Sequence, residues 1–276
     1  MILILIYNSI IKIDNKESIT KEHMFEVNMA KVISIFNQKG GVGKTTSVIN
    51  LAAGLGRLKQ KVLIIDMDPQ GNATSGIGLN KEQDKIIYDL LINEDLDVIK
   101  PTESKNVDII PSNQELSGID LELANTEWHY RLRDQVNKIK DDYDYILIDS
   151  PPSLSVLSIM TLIASDSIII PVQTEYYALE GVSQLIESID FIKENFNPDL
   201  KILGVLLTMY DGRNKLSKQV VEEVRGFFKD LVFNTTIPRN VRLAESPGYG
   251  MDIFKYDRIS AGAFSYKKFA REVLKK

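Results

Sequence analysis

The 276-residue sequence predicts an α/β fold, a mostly parallel twisted sheet with helices on both faces, built as one domain. Three observations predict it. Apolar, β-rich runs recur along the chain, and several are apolar throughout rather than alternating, as strands covered on both faces are. Helix-length stretches with apolar residues at helical spacing lie between them. No linker, internal repeat or low-complexity tract interrupts the alternation. The composition, 44% hydrophobic and 26% charged, is that of an ordinary globular chain and argues against disorder or a membrane channel. A chain this long buries a sizeable core without covalent staples.

Taken in order, strands are expected at 32–36, 62–65, 107–110, 145–148, 167–171, 202–207 and 231–237. Helices are expected at 45–58, 116–140, 154–164, 179–196 and 216–228, and Phe264, Phe269, Ala270, Val273 and Leu274 are expected to share the face of a last helix. Residues 1–28 read as an extension outside the core. Their apolar start, MILILIY, is too short to span a bilayer and lacks a basic leader. The core is expected at 29–276. Ligands in such sheets bind beyond the carboxyl ends of the strands, so chemistry-bearing motifs are expected to converge there.

Absent residue types exclude several chemistries. With no cysteine, disulfides, Cys-ligated zinc, iron–sulfur clusters and thiol nucleophiles are ruled out. His23 and His129 are the only histidines, too few for a multi-histidine metal site. The lack of cysteine fits a reducing, cytoplasmic setting. The net charge of −5 is unevenly spread, because residues 201–276 carry 15 basic and 8 acidic side chains. The chain as a whole should not coat polyanions, whereas its last quarter can form a basic face.

Three motifs carry the chemistry. Lys39-Gly40-Gly41-Val42-Gly43-Lys44-Thr45-Thr46 follows the first strand and opens a helix, the context a phosphate-binding loop requires. Its glycines let successive N–H groups point inward, and the helix amino terminus adds partial positive charge. Lys44 can reach the β and γ phosphates; one such charge pair at ~4 Å and an effective dielectric near ~20 is worth about 4 kcal/mol before desolvation. Thr45 offers a hydroxyl to Mg²⁺. The second motif ends a strand with Asp66-Met67-Asp68, then Pro69-Gln70-Gly71-Asn72. Carboxylates beside phosphates must hold a cation or position water, because otherwise they repel the substrate. The third, residues 145–152, ends an apolar strand in Asp149 followed by Ser150-Pro151-Pro152, as a Walker B carboxylate does.

The first motif departs from the ordinary pattern: Gln38 stands where glycine is usual, and Lys39 precedes the double glycine. It resembles the deviant Walker A motif, K-G-G-x-G-K-[ST], of the P-loop ATPases that include ParA, Soj, MinD and the nitrogenase iron protein. The resemblance, extended by residues 171–181, 206–213 and 237–245, covers nearly the whole chain from Met29. It implies a P-loop NTPase-like fold and Mg²⁺-dependent ATP hydrolysis. It assigns the nucleotide to Lys39, Gly40, Gly41, Val42, Gly43, Lys44, Thr45 and Thr46, with Thr208, Met209, Pro238 and Arg239 near the adenine. Thr45, Asp66 and Asp149 are assigned to the metal, Asp68 to the attacking water, and Lys39 to the phosphates of a partner subunit. Missing cysteines exclude the nitrogenase iron protein, and no bulky apolar tail suited to membrane targeting follows the fold. The ParA/Soj branch fits best. That branch implies an ATP-bound homodimer on non-specific double-stranded DNA through Arg213 and Arg242, associated with the nucleoid, with hydrolysis stimulated by a ParB-type partner. The alternatives are a MinD-like membrane-associated spatial regulator and a ParA-like ATPase positioning another cargo.

Overall fold

A computed structural model describes residues 30–119, 122, 127–176, 178 and 181–276. The predicted extension 1–28 lies outside the described residues.

Eight strands form one sheet: β1 (Lys31–Ile35), β2 (Val62–Asp66), β3 (Lys100–Pro101), β4 (Val107–Ile110), β5 (Tyr145–Asp149), β6 (Ser167–Gln173), β7 (Lys201–Tyr210) and β8 (Val232–Pro238). Their order is β3-β4-β2-β5-β1-β6-β7-β8, and only the β3–β4 pair is antiparallel. The described α-helices are α1 (Lys44–Arg57), α2 (Asn72–Gly76), α3 (Ile87–Asn93), α4 (Arg131–Ile139), α5 (Val156–Ala164), α6 (Val182–Asn195), α7 (Lys215–Phe228), α8 (Val241–Glu245), α9 (Ile253–Tyr256) and α10 (Ala261–Val273).

Alternation along the central strands divides the core. Ile33, Ile35, Val62 and Ile64 face α1 and α10, whereas Val32, Leu63 and Ile65 face α3, α4 and α5. A third cluster packs α5, α6 and α7 against β6 and β7. Both faces of the central strands are dry, which is why their sequences are apolar without alternation. Among the described residues no helix is long and apolar enough to cross a membrane.

Three expectations need correction. The helix expected at 116–140 is not continuous: its described parts are a 3₁₀ turn at Gln114–Gly118, helical Ile119 and Glu122, irregular Glu127, a 3₁₀ turn at Trp128–Tyr130, and then α4. Gly118 is a poor interior helix residue, and the ring of Trp128 stacks on His129 at 4.1 Å instead of continuing a helical stripe. The face of the last helix is Ala263, Tyr266, Phe269, Ala270 and Val273, while Phe264 and Leu274 are 55% and 38% exposed. One step from Ala263 turns a side chain by about 100° out of the interface. Finally, α2, α3, α8, α9 and β3 were not expected. β3 is a two-residue edge strand holding Pro101, where a missing N–H costs no ladder bond.

Candidate active site

Strands β2, β5 and β1 are neighbours in register, with Asp66 opposite Asp149 and Asp149 opposite Ile35. This order delivers all three motifs to one rim of the sheet. At the end of β1 the chain turns through Gly41 (φ 74°) and Gly43 (φ 92°), left-handed geometry that any other residue would enter under strain. Gly43 caps α1 without a side chain, so the amide hydrogens of the first turn remain available to an anion. The loop, Lys44, Asp68, Gln70, Asn72, Pro152 and Met209 enclose a cleft of about 440 Å³.

Lys44 is buried, and its Nζ donates to the carbonyl of Lys39 at 3.0 Å. Burial lowers its pKa, and the carboxylates of Asp149 and Asp68 work against that shift. Lys39 itself is exposed, and among the described residues its ammonium makes no hydrogen bond or ion pair. Its backbone is pinned instead: its N–H donates to Asn37 Oδ1 at 2.9 Å, and Asn37 Nδ2 donates to Pro171 O at 2.8 Å.

The carboxylates differ sharply in their surroundings. Asp66 is fully buried, and its Oδ2 accepts from the N–H and the hydroxyl of Thr74, at 2.9 and 2.8 Å. Its Oδ1 accepts from Asp68 N–H at 3.2 Å. Burial pushes Asp66 up to about 6 despite these donors. Asp149 is also fully buried, and neither oxygen has a hydrogen-bond partner of good geometry. Its pKa stands well above the usual range, from burial first and Asp66 second; the Thr45 hydroxyl opposes the shift. An orphaned carboxylate beside a hydroxyl is a donor set that fits Mg²⁺. Among the described residues no group of three or more acidic or histidine ligands converges, so the ion would complete its shell with phosphate oxygens and water.

The remaining predicted residues divide. Thr208 donates through Oγ1 to Val42 O at 2.8 Å, and Met209, with φ 52°, lines the cleft. Pro238 and Arg239 stand one strand further out. Pro238 is opposite Tyr210, and the Arg239 guanidinium pairs with Glu175 at 2.9 Å. Arg213 donates to both oxygens of Asp211, and Arg242 pairs with Glu245 at 2.9 Å and Asp257 at 3.4 Å. Sequence reasoning missed Thr74, whose hydroxyl also accepts from Ser112 N–H at 2.9 Å and so ties α2, β2 and the end of β4 together. Its segment carries no motif that could have pointed to it.

Residues 30–202 match the family model described as an AAA domain. The chain is 50% identical over 249 residues to the sporulation initiation inhibitor protein Soj of Bacillus subtilis strain 168, spanning 89% of this chain and 98% of that protein. It is 49% identical over 254 residues to the chromosome partitioning protein ParA of Myxococcus xanthus strain DK1622, spanning 90% and 89%. The chain belongs to the ParA/Soj family. It is an ATPase of that family, which bears out both the resemblance and the α/β fold read from the sequence. The fold also matches cobyrinic acid a,c-diamide synthase from Mycobacterium smegmatis, solved with a bound ATP analog and magnesium. The TM-score is 0.79 and the identity 32%, over 89% of this chain and 95% of that one. This ParA/Soj fold therefore carries nucleotide and magnesium in a relative.

Proposed function

We propose that the protein is a partitioning ATPase that closes as an ATP-bound homodimer on double-stranded DNA. The observation that carries this reading is the division of labour between Lys39 and Lys44, five residues apart in the same loop. Lys44 is drawn into the cleft among carboxylates, while Lys39, pinned through its backbone, leaves its ammonium outside. A cation held outside its own cleft supports a role toward the phosphates of a second copy.

ATP binds against the Gly40–Thr46 loop, with Thr208 fixing the loop at Val42 and Met209 near the base. Pro238 and Arg239 border the adenine from the next strand. Thr45 and Asp149 would hold Mg²⁺, with Asp66 behind them, and the ion would neutralise phosphate charge when bound. Asp68 orients water for slow phosphoryl transfer. The closed dimer binds DNA without sequence preference through Arg213 and Arg242, and a ParB-type partner speeds hydrolysis and release. The working unit is 29–276, so deletion of 1–28 leaves turnover intact.

The test is size-exclusion chromatography with ADP and with ATP, each with and without duplex DNA. ATP alone is expected to give the dimer, and only the dimer to co-elute with DNA. Lys44→Ala loses nucleotide binding, and Asp68→Ala is retained on DNA as an ATP dimer. Arg213→Ala with Arg242→Ala loses DNA and keeps ATP. A monomer under every condition would falsify the reading.

A further inference from the structure

Gln38 occupies the position where an ordinary phosphate loop has glycine, directly before Lys39. Its Nε2 donates to Ser188 Oγ on α6 at 2.8 Å, and that hydroxyl donates onward to Gln184 O at 2.8 Å. The side chain of Gln38 stands between two open spaces. One is a cleft of about 540 Å³ that also touches Asn37, Lys39 and Leu185. The other is a groove of about 420 Å³ between α5 and α6, walled by Ile159 and Phe191. With space on both sides, packing does little to fix the Gln38 amide, and the hydrogen bond to Ser188 sets its position.

Lys39 is the next residue along. Its N–H is held by Asn37 and its carbonyl by Lys44. The Gln38 side chain adds a third tether, and it alone reaches a helix outside the loop. We propose that Gln38 and Ser188 form a positioning bridge that couples α6 to Lys39 and sets where the Lys39 ammonium stands for the neighbouring copy. The bridge touches no part of the cleft that receives the phosphates in its own subunit, since neither Gln38 nor Ser188 lines it. It therefore acts on dimer closure and leaves nucleotide capture alone. This inference rests on the reading that Lys39 serves a second subunit.

The test uses the full chain. ATP affinity is measured with a fluorescent ATP analogue at protein concentrations below dimerisation, and ATP-dependent dimerisation by light scattering. Gln38→Ala and Ser188→Ala are each expected to weaken dimerisation by about fivefold to tenfold, the worth of one neutral hydrogen bond. ATP affinity of the monomer stays at the wild-type value, while the melting temperature drops slightly, because the same bond ties the loop to α6 within one subunit. The double variant is no weaker than the worse single one, because both remove the same contact. Ser188→Thr, which keeps the hydroxyl, retains wild-type dimerisation. The bridge is overturned if the single variants dimerise like wild type, if their losses multiply in the double variant, or if ATP affinity falls in step with dimerisation. Lys39→Ala run in parallel separates the two levels. If it dimerises as well as wild type, the cross-subunit reading fails and the bridge's purpose fails with it. If it abolishes dimerisation while Gln38→Ala does not, only the bridge fails.

Discussion

Asp66 and Asp149 lie side by side at adjacent strand ends, yet they are satisfied in opposite ways. Thr74 and a backbone N–H occupy Asp66, while Asp149 is left without a partner. The Asp66 pKa rises from 3.8 to about 6 on folding, so the folded chain holds a proton that the unfolded chain releases. Stability from this group is therefore present below 3.8 and falls as the pH rises to about 6. Thermal melts across that window without Mg²⁺ are expected to show this slope, and Asp66→Asn to lessen it, the remainder coming from Asp149, whose pKa is raised in the same direction. Thr74→Val removes one donor from the ionised Asp66 and leaves Ser112 N–H unpaired, costing about 1–3 kcal/mol in urea unfolding. If the loss is instead within experimental error, Thr74 is not what holds Asp66 in place.

At the level of elements, α1 is gripped on two sides where it has no side chains. A Cβ on Gly54 would stand 2.8 Å from that of Ala270, and one on Gly56 would overlap the carbonyl oxygen of Lys105. Gly56→Ala is expected to cost about 1–3 kcal/mol, measured by denaturant titration, because a backbone carbonyl cannot move aside as a side chain can. At the sheet's far edge, Glu272 of α10 accepts from the N–H groups of Asn234 and Thr235, at 2.7 and 3.0 Å. Burial raises the Glu272 pKa, but these donors outweigh it and hold the carboxyl below its ordinary value. Glu272→Ala is expected to cost about 1–2 kcal/mol in the same measurement and to increase self-association, seen by light scattering. The seven long strands and the loop-to-helix motif were legible because apolar runs and glycine spacing are local signals. The strands even run on to include Asp66 and Asp149, the carboxylates proposed to serve the metal. The pairing of Gln38 with Ser188 was not legible, since 150 residues separate them and neither sits in a periodic pattern. The same holds for the pairing of Arg213 and Arg242 with acids: the charges can be counted in the sequence, but their partners depend on the fold.

For the whole molecule, the uneven charge is tempered locally. Each arginine proposed to meet DNA already has a carboxylate, and the Arg213 guanidinium draws Asp211 down to about 2. Phosphates must take over from those carboxylates, so binding should be weak for one copy and strong for two. Two arginines per protomer give about four contacts in a dimer, and the logarithm of DNA affinity is expected to fall with that of salt at a slope near −3.6. Filter binding of the ATP-bound form at several salt concentrations measures it. A slope near −1.8 would mean that one subunit does the binding. The last helix bears on how the protein can be handled. It covers the flank of α1, plugs the outer strand, and is followed by Lys276, whose Nζ donates to Leu203 O at 2.9 Å and lies over the Phe233 ring. Cutting the chain before residue 261 would bare apolar surface and a row of amide hydrogens together, inviting ribbons to stack. Affinity tags and fluorescent fusions therefore belong at the other end, or behind a generous spacer.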